Sequence, residues 1–172
     1  PILCFIILTA ARNVRGQVLE PNSMLIHVNR LNDVQNSLKS MVDDYFSEVQ
    51  SYINGGDTEI IDTLHDLWDK DFVPTTKKMQ QDFSAYMEGV DCSDWSDVET
   101  EIKRLIGNHQ IRVFEINGKS DDVLCYKEFK DEDRQLNVIA IGGDKLSRGL
   151  TLEGLTVSFF MRSSQMLSLI HI

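Results

Sequence analysis

Apolar positions along the chain fall into two regimes. Short continuous runs bounded by turn residues read as strands, and longer stretches with apolar residues three or four positions apart read as helices. Ser23-Met-Leu-Ile-His-Val28 follows the turn pair Pro21-Asn22 and is rich in strand formers. Leu31, Val34, Leu38, Met41, Val42, Tyr45, Phe46 and Val49 then recur at helical spacing, and Asn54-Gly55-Gly56 supplies a stop. This predicts a helix over 31–52 packed on a strand, half of a βαβ unit. From Asp57 to Gly107 the spacing stays helical. Ile60, Ile61, Leu64, Leu67 and Trp68 share a face, Pro74 breaks the pattern, and Asp94 caps a run with Trp95, Val98, Ile102, Leu105 and Ile106. Strand patterns return at Ile111–Ile116, before the turn pair Asn117-Gly118, at Asn137–Ile141 and at Leu155–Phe160. The expected fold is α/β: one mostly parallel sheet in a three-layer domain, with the helices of 57–107 inserted as a separate outcrop.

Length allows one domain with a real core, not comfortably two. The opening stretch Pro1 to Ala11 is apolar but about half the length of a membrane span, so a buried helix or strand is expected and no membrane association. Both ends read as cut. The last six residues, Leu167-Ser-Leu-Ile-His-Ile172, can be encoded by CTG TCT CTT ATA CAC ATC. That string resembles the mosaic-end adapter of transposase-based sequencing libraries. The expectation is an artefact over 167–172 and a folded unit over 1–166; the alternative is a short apolar strand.

A net charge of −10 argues at first against a nucleic-acid partner. Its distribution changes that reading. Between Asp43 and Glu101 lie 16 of the 27 acidic residues and 3 of the 17 basic ones, so the remainder of the chain is net positive. The acidic stretch itself reads as a solvated helical face. Cys4, Cys92 and Cys125 are scattered, with no CxxC pair, which points to a reducing, cytoplasmic setting. His27, His65, His109 and His171 show no metal-ligand spacing, and no metal site is expected. Glu101-Ile-Lys103 and Glu128-Phe-Lys130 fit the short E-x-K pattern of some nucleases, but two hits in so short a chain show how unspecific it is. His27 alternates with apolar neighbours and reads as a partly buried strand histidine.

The segment with most chemistry runs from Ile139 to Phe160. A buried strand ends in Gly142-Gly143, a polar loop carries Lys145, Ser147 and Arg148, and Gly149 and Thr151 precede a second strand. In open α/β sheets ligands bind beyond the carboxyl ends of strands. Glycines let backbone approach a phosphate, and the basic and hydroxyl side chains can contact it. From spacing alone, a tight strand-to-strand turn with solvated lysine and arginine explains the same residues.

This stretch resembles motif V of superfamily-II helicases. Arg148-Gly149 match its Arg-Gly, Gly154 matches the glycine before the final strand, and Thr151 stands where those helicases carry Asp. The whole run from Gly142 to Val157 is similar to the signature of the Z-one domain family of endonuclease-type proteins joined to helicase-type ATPases, which more often has Asn where Asp144 stands. Arg12–Gly16, Ser23–Val28, and Val113–Ser120 with Tyr126 also resemble that family, and the likeness spans about Ala10 to Met166. The resemblance implies a RecA-like second lobe of a P-loop motor acting on DNA in prokaryotic defence or restriction. It implies ATP and magnesium in the intact protein, with Gly142, Gly143, Gly149 and Thr151 near the nucleotide and Lys145, Ser147 and Arg148 on DNA. No GxxxxGK[ST] occurs in the chain, so that element is expected on an ATPase lobe N-terminal to it. The arginine-bearing motif-VI segment Gln-Met-Gly-Arg-Trp is likewise missing here. Two other readings stay open: an interaction domain with a degenerate motor fold, and an α/β domain binding a small phosphorylated ligand.

Overall fold

A computed structural model describes residues 1–28, 32–87, 90, 92–116, 135–143 and 152–161. Four strands form one sheet: β1 (Asn22–His27), β2 (Ile111–Ile116), β3 (Asn137–Gly142) and β4 (Leu155–Phe160). Their spatial order is β2-β3-β1-β4, and every neighbouring pair is parallel. All six residues of β3 are buried, which is why its sequence is apolar without alternation. β4 lies at one edge and is largely exposed. The order also rules out a tight β3-to-β4 turn: the strands are parallel with β1 between them, so the chain must cross over.

Helices flank the sheet. α1 (Ile2–Val14) is the apolar opening stretch, and it buries Phe5, Ile6, Ile7, Ala10 and Ala11. α2 (Asn32–Gly55) ends where the asparagine-glycine signal stands, with Gly56 at φ +75°. Val42, Phe46, Val49 and Ile53 on its buried face join Met24, Ile26, Ile139 and Ile141 on one face of the sheet. On the opposite face, Ile116, Leu136, Val138 and Ala140 pack with Phe114 and Leu152. No second helical layer covers that face among the described residues.

The acidic helical segment is not a separate outcrop. α3 (Thr58–Leu67) and α5 (Trp95–Gly107) contribute Leu64, Val98, Ile102, Leu105 and Ile106, all fully buried in the cluster that contains the sheet's Met24 and Ile139. α5 packs chiefly on α1 and also on α2. Each such aliphatic side chain stabilises the fold by about 1.5–3 kcal/mol, so this half of the segment belongs to the core. α4 (Val73–Asp82) buries none of its residues, and its partly buried Val73 packs against this core.

Pro74 does not break the helical run. It sits in the first turn of α4, after a π turn over Trp68–Phe72 in which the Val73 N–H donates to the Trp68 carbonyl. A proline ring collides with the carbonyl four residues earlier and offers no N–H. A widened turn ahead of it accommodates both effects while helical direction is kept. Trp68 is buried there, its ring 5.7 Å from Phe72 and 6.3 Å from Trp95. Asp94 occupies the N-cap of α5 as expected, but its side chain makes no capping hydrogen bond.

Candidate functional site

The two ends of the sheet differ in character. At the carboxyl end, β3 runs out into Gly142 and Gly143, both buried. The Gly142 carbonyl accepts the Val28 N–H at 2.9 Å, and His27 lies beside Gly142 in register on one side and Phe160 on the other. The His27 ring stacks on Phe160 with centroids 5.3 Å apart. His27 is therefore a largely buried strand histidine, next to the start of the candidate loop. Lys145, Ser147, Arg148, Gly149 and Thr151 lie outside the described residues, as do Cys125 and the Glu128–Lys130 pair.

The residues that close the loop lie at the other end of the sheet. Ser23 at the start of β1 donates its N–H to the Gly154 carbonyl at 2.9 Å and its hydroxyl to the Glu153 carbonyl at 2.8 Å. Gly154 has φ +63°, and a Cβ there would stand 1.9 Å from the Pro21 carbonyl oxygen. Only glycine fits both the left-handed backbone and this approach. The glycine that resembled a helicase motif position thus has a local structural job: it lets β4 dock on β1.

A polar network holds the same amino-terminal end. Asn22 donates to the Thr9 hydroxyl at 2.6 Å and accepts from the Thr156 hydroxyl at 2.8 Å, linking β1 to α1 and β4. Asn13 on α1 donates to Glu101 at 2.6 Å and exchanges hydrogen bonds with Gln135 just before β3. Arg104 grips Glu101 through Nε and Nη2, each at 2.7 Å. Burial alone would raise the Glu101 carboxyl, but hydrogen bonds from Arg104 and Asn13 and the charge of Arg104 outweigh it and hold it below the usual range. The Arg104 guanidinium is pushed up by its hydrogen bond to Glu101. Lys103, the other member of the E-x-K match, pairs instead with Glu99 at 2.6 Å. Glu101-Ile-Lys103 is therefore split between two helix-surface ion pairs. No three His, Cys, Asp or Glu converge among the described residues.

Next to this network a cavity of about 380 Å³ opens at the amino ends of β2 and β3, bordered by Arg104, Gln110, Arg112, Gln135 and Asn137 among others. Sequence reasoning placed Asn137 in a strand and gave it no role, and did not single out Gln110 or Gln135. The one available signal was a buried-strand pattern headed by an amide side chain, as at Asn22 and Asn137.

The family model described as the Z1 domain matches residues 1–171, a range that includes Leu167–His171. No curated protein and no solved structure matches. No helix among the described residues is long and apolar enough to cross a membrane.

Proposed function

We propose, from the premise that the chain belongs to the Z1 domain family, the Z-one family whose signature its loop resembles, that it is the RecA-like second lobe of a cytoplasmic, ATP-driven protein that works on DNA in prokaryotic defence or restriction. The observation that carries this reading is the all-parallel sheet with β3 running out at its carboxyl end into Gly142-Gly143, directly before the loop that bears Lys145, Ser147 and Arg148. Loops in that position are the ligand-binding loops of open α/β sheets. Lys145 and Arg148 supply the positive charge that a DNA phosphate needs, and Ser147 a hydroxyl contact.

ATP and magnesium would be held chiefly by an N-terminal lobe carrying the phosphate-cradling sequence that this chain does not contain. Gly142 and Gly143 are buried, and the Gly142 carbonyl accepts the Val28 N–H. Endonuclease chemistry would need converging carboxylates around a metal, and the described half of the E-x-K evidence, Glu101, is committed to Arg104 and Asn13. The work we assign to this lobe is binding and relay of motion. Thr151, at the position where superfamily-II helicases carry Asp, favours a second reading in which the lobe has become a non-catalytic scaffold.

Arg148→Ala in the full-length protein separates these readings. DNA binding by fluorescence anisotropy should weaken uniformly across sequences, and the salt slope should become shallower by about one. Lost thermal stability with an unchanged slope assigns Arg148 a structural role. An intact DNA-stimulated ATPase with both quantities unmoved removes the loop from the functional centre.

A further inference from the structure

At the carboxyl rim of the sheet, one row of register partners runs Ile116, Gly142, His27, Phe160 across the strands. Met24 and Ile26 on β1 and Val157 on β4 point into the helical core. Side chains alternate along a strand, so His27 and Phe160 point to the opposite face. His27 is 7 % exposed, whereas Phe160, on the edge strand, is 57 % exposed. Their rings stack with centroids 5.3 Å apart and planes at 30°. The Met161 N–H donates to the His27 carbonyl and the Val28 N–H to the Gly142 carbonyl, each at 2.9 Å, which ties the ends of β4, β1 and β3 together at this level. Phe160 thus has one side against a buried imidazole held in the central strand and much of its remaining surface in water.

Single exposed apolar residues are ordinary on a protein surface, and position separates this one from the rest. Tyr86, 87 % exposed, lies on the turn after α4, whereas Phe160 lies at the rim where open α/β sheets bind ligands. In the sequence, the residues directly after the ends of β3 and β4 are net cationic: Lys145 and Arg148 against Asp144, and Arg162 after Met161. A rigid aromatic ring beside cationic chain is the combination that holds single-stranded nucleic acid, with cations tracking the phosphates while a base stacks on the ring. We infer that Phe160, backed by His27, is a stacking platform for an unpaired base of single-stranded DNA. This platform rests on the DNA reading above and adds to it a preference for unpaired bases, since a duplex keeps its bases stacked on one another.

Fluorescence anisotropy of the full-length protein tests it, with labelled thymidine oligomers of about twelve nucleotides and abasic oligomers of the same length and charge. The parent should bind the thymidine oligomer about tenfold more tightly than the abasic one. Phe160→Ala and Phe160→Leu should each lower thymidine affinity about tenfold, to the abasic level, and leave the salt slope unchanged, since no phosphate contact is lost. Phe160→Trp should keep the parent affinity, because an indole also stacks, and Tyr86→Ala should change nothing. Phe160 is mostly exposed, so its variants should keep the parent unfolding temperature. Four results would each overturn the platform. Equal binding of the two oligomers by the parent, with a salt slope that still depends on Arg148, leaves the DNA reading standing without a base contact. Full affinity in Phe160→Leu reduces the ring to apolar cover. An equal loss on the abasic oligomer makes Phe160 a support for the neighbouring chain. No binding of any DNA by the parent removes the DNA reading and the platform together.

Discussion

Replacing Gly154 by alanine should be among the most damaging single-methyl changes in this protein. The new Cβ would stand 1.9 Å from the Pro21 carbonyl oxygen and 2.6 Å from its carbon. An ordinary carbon contact needs about 3.5 Å, so relief requires the backbone to move by more than an ångström. Both partners are main chain, and neither can rotate away. A left-handed conformation costs a non-glycine residue about 1–2 kcal/mol, and forced overpacking adds about 1–3 kcal/mol. Separating the two segments also stretches the hydrogen bonds from Ser23 to the Gly154 and Glu153 carbonyls, worth about 1 kcal/mol each. The total is about 4–7 kcal/mol, or roughly 10–25 °C in unfolding temperature for a domain of this size. Gly16 is the internal control. It too has positive φ, +84°, but nothing lies within 4 Å of its would-be Cβ, so Gly16→Ala should cost only the conformational term of about 1–2 kcal/mol. Urea denaturation of both variants, read as a shift in midpoint at constant slope, makes the comparison. Equal losses at the two glycines would refute the close approach of β4's leading turn to Pro21.

The other predictions concern the acidic helices and the network at the amino-terminal end. Because the folded Glu101 carboxyl sits below its ordinary value of 4.5, its stabilising effect is present above that value and fades as pH falls through the folded one. Glu101→Gln should therefore flatten the acid limb of a stability-against-pH curve below about pH 4.5; an unchanged limb would count against the Arg104 and Asn13 pairing. Ile102→Ala, at a fully buried site in α5, should cost about 2–5 kcal/mol, whereas Met79→Ala on α4, 41 % exposed, should stay within about 0.5 kcal/mol. Similar values by thermal or urea unfolding would mean that α5 does not share the sheet's core. Finally, the 172 residues alone should show no DNA-stimulated ATP turnover in a phosphate-release assay, since phosphoryl transfer needs a cradling loop with its lysine; measurable turnover would sink the two-lobe reading.

Local sequence determined the elements and the family. Continuous apolar runs at 137–141 and 155–160 both read as buried strands; β3 is buried throughout, whereas β4 is a largely exposed edge strand, and the structure places all four expected strands in one parallel sheet. The helical spacing from Leu31 onward and the Asn54-Gly55-Gly56 stop describe α2 to within a few residues. The Gly142–Val157 signature pointed to the Z1 family that the chain matches. These features are legible because they depend on neighbours in the chain: periodicity, caps and turn residues.

What only the tertiary structure decided depends on residues far apart in sequence. Unbroken helical spacing over 57–107 suggested an outcrop, yet α5 is amphipathic, and its apolar stripe found α1 and α2 rather than solvent; a helical period says nothing of what its apolar face packs on. Pro74 looked like a break, but a π turn ahead of it absorbs the missing N–H. Gly154 looked like a motif residue, and its constraint comes from Pro21, brought alongside by the pairing of β1 with β4. Asn13, Glu101, Arg104 and Gln135 are up to 122 positions apart, and Asn137 and Gln110 are 27 apart. Polar residues so spaced carry no periodic signal. They come together only because α1 packs on α5 at the end of the sheet where the parallel strands start.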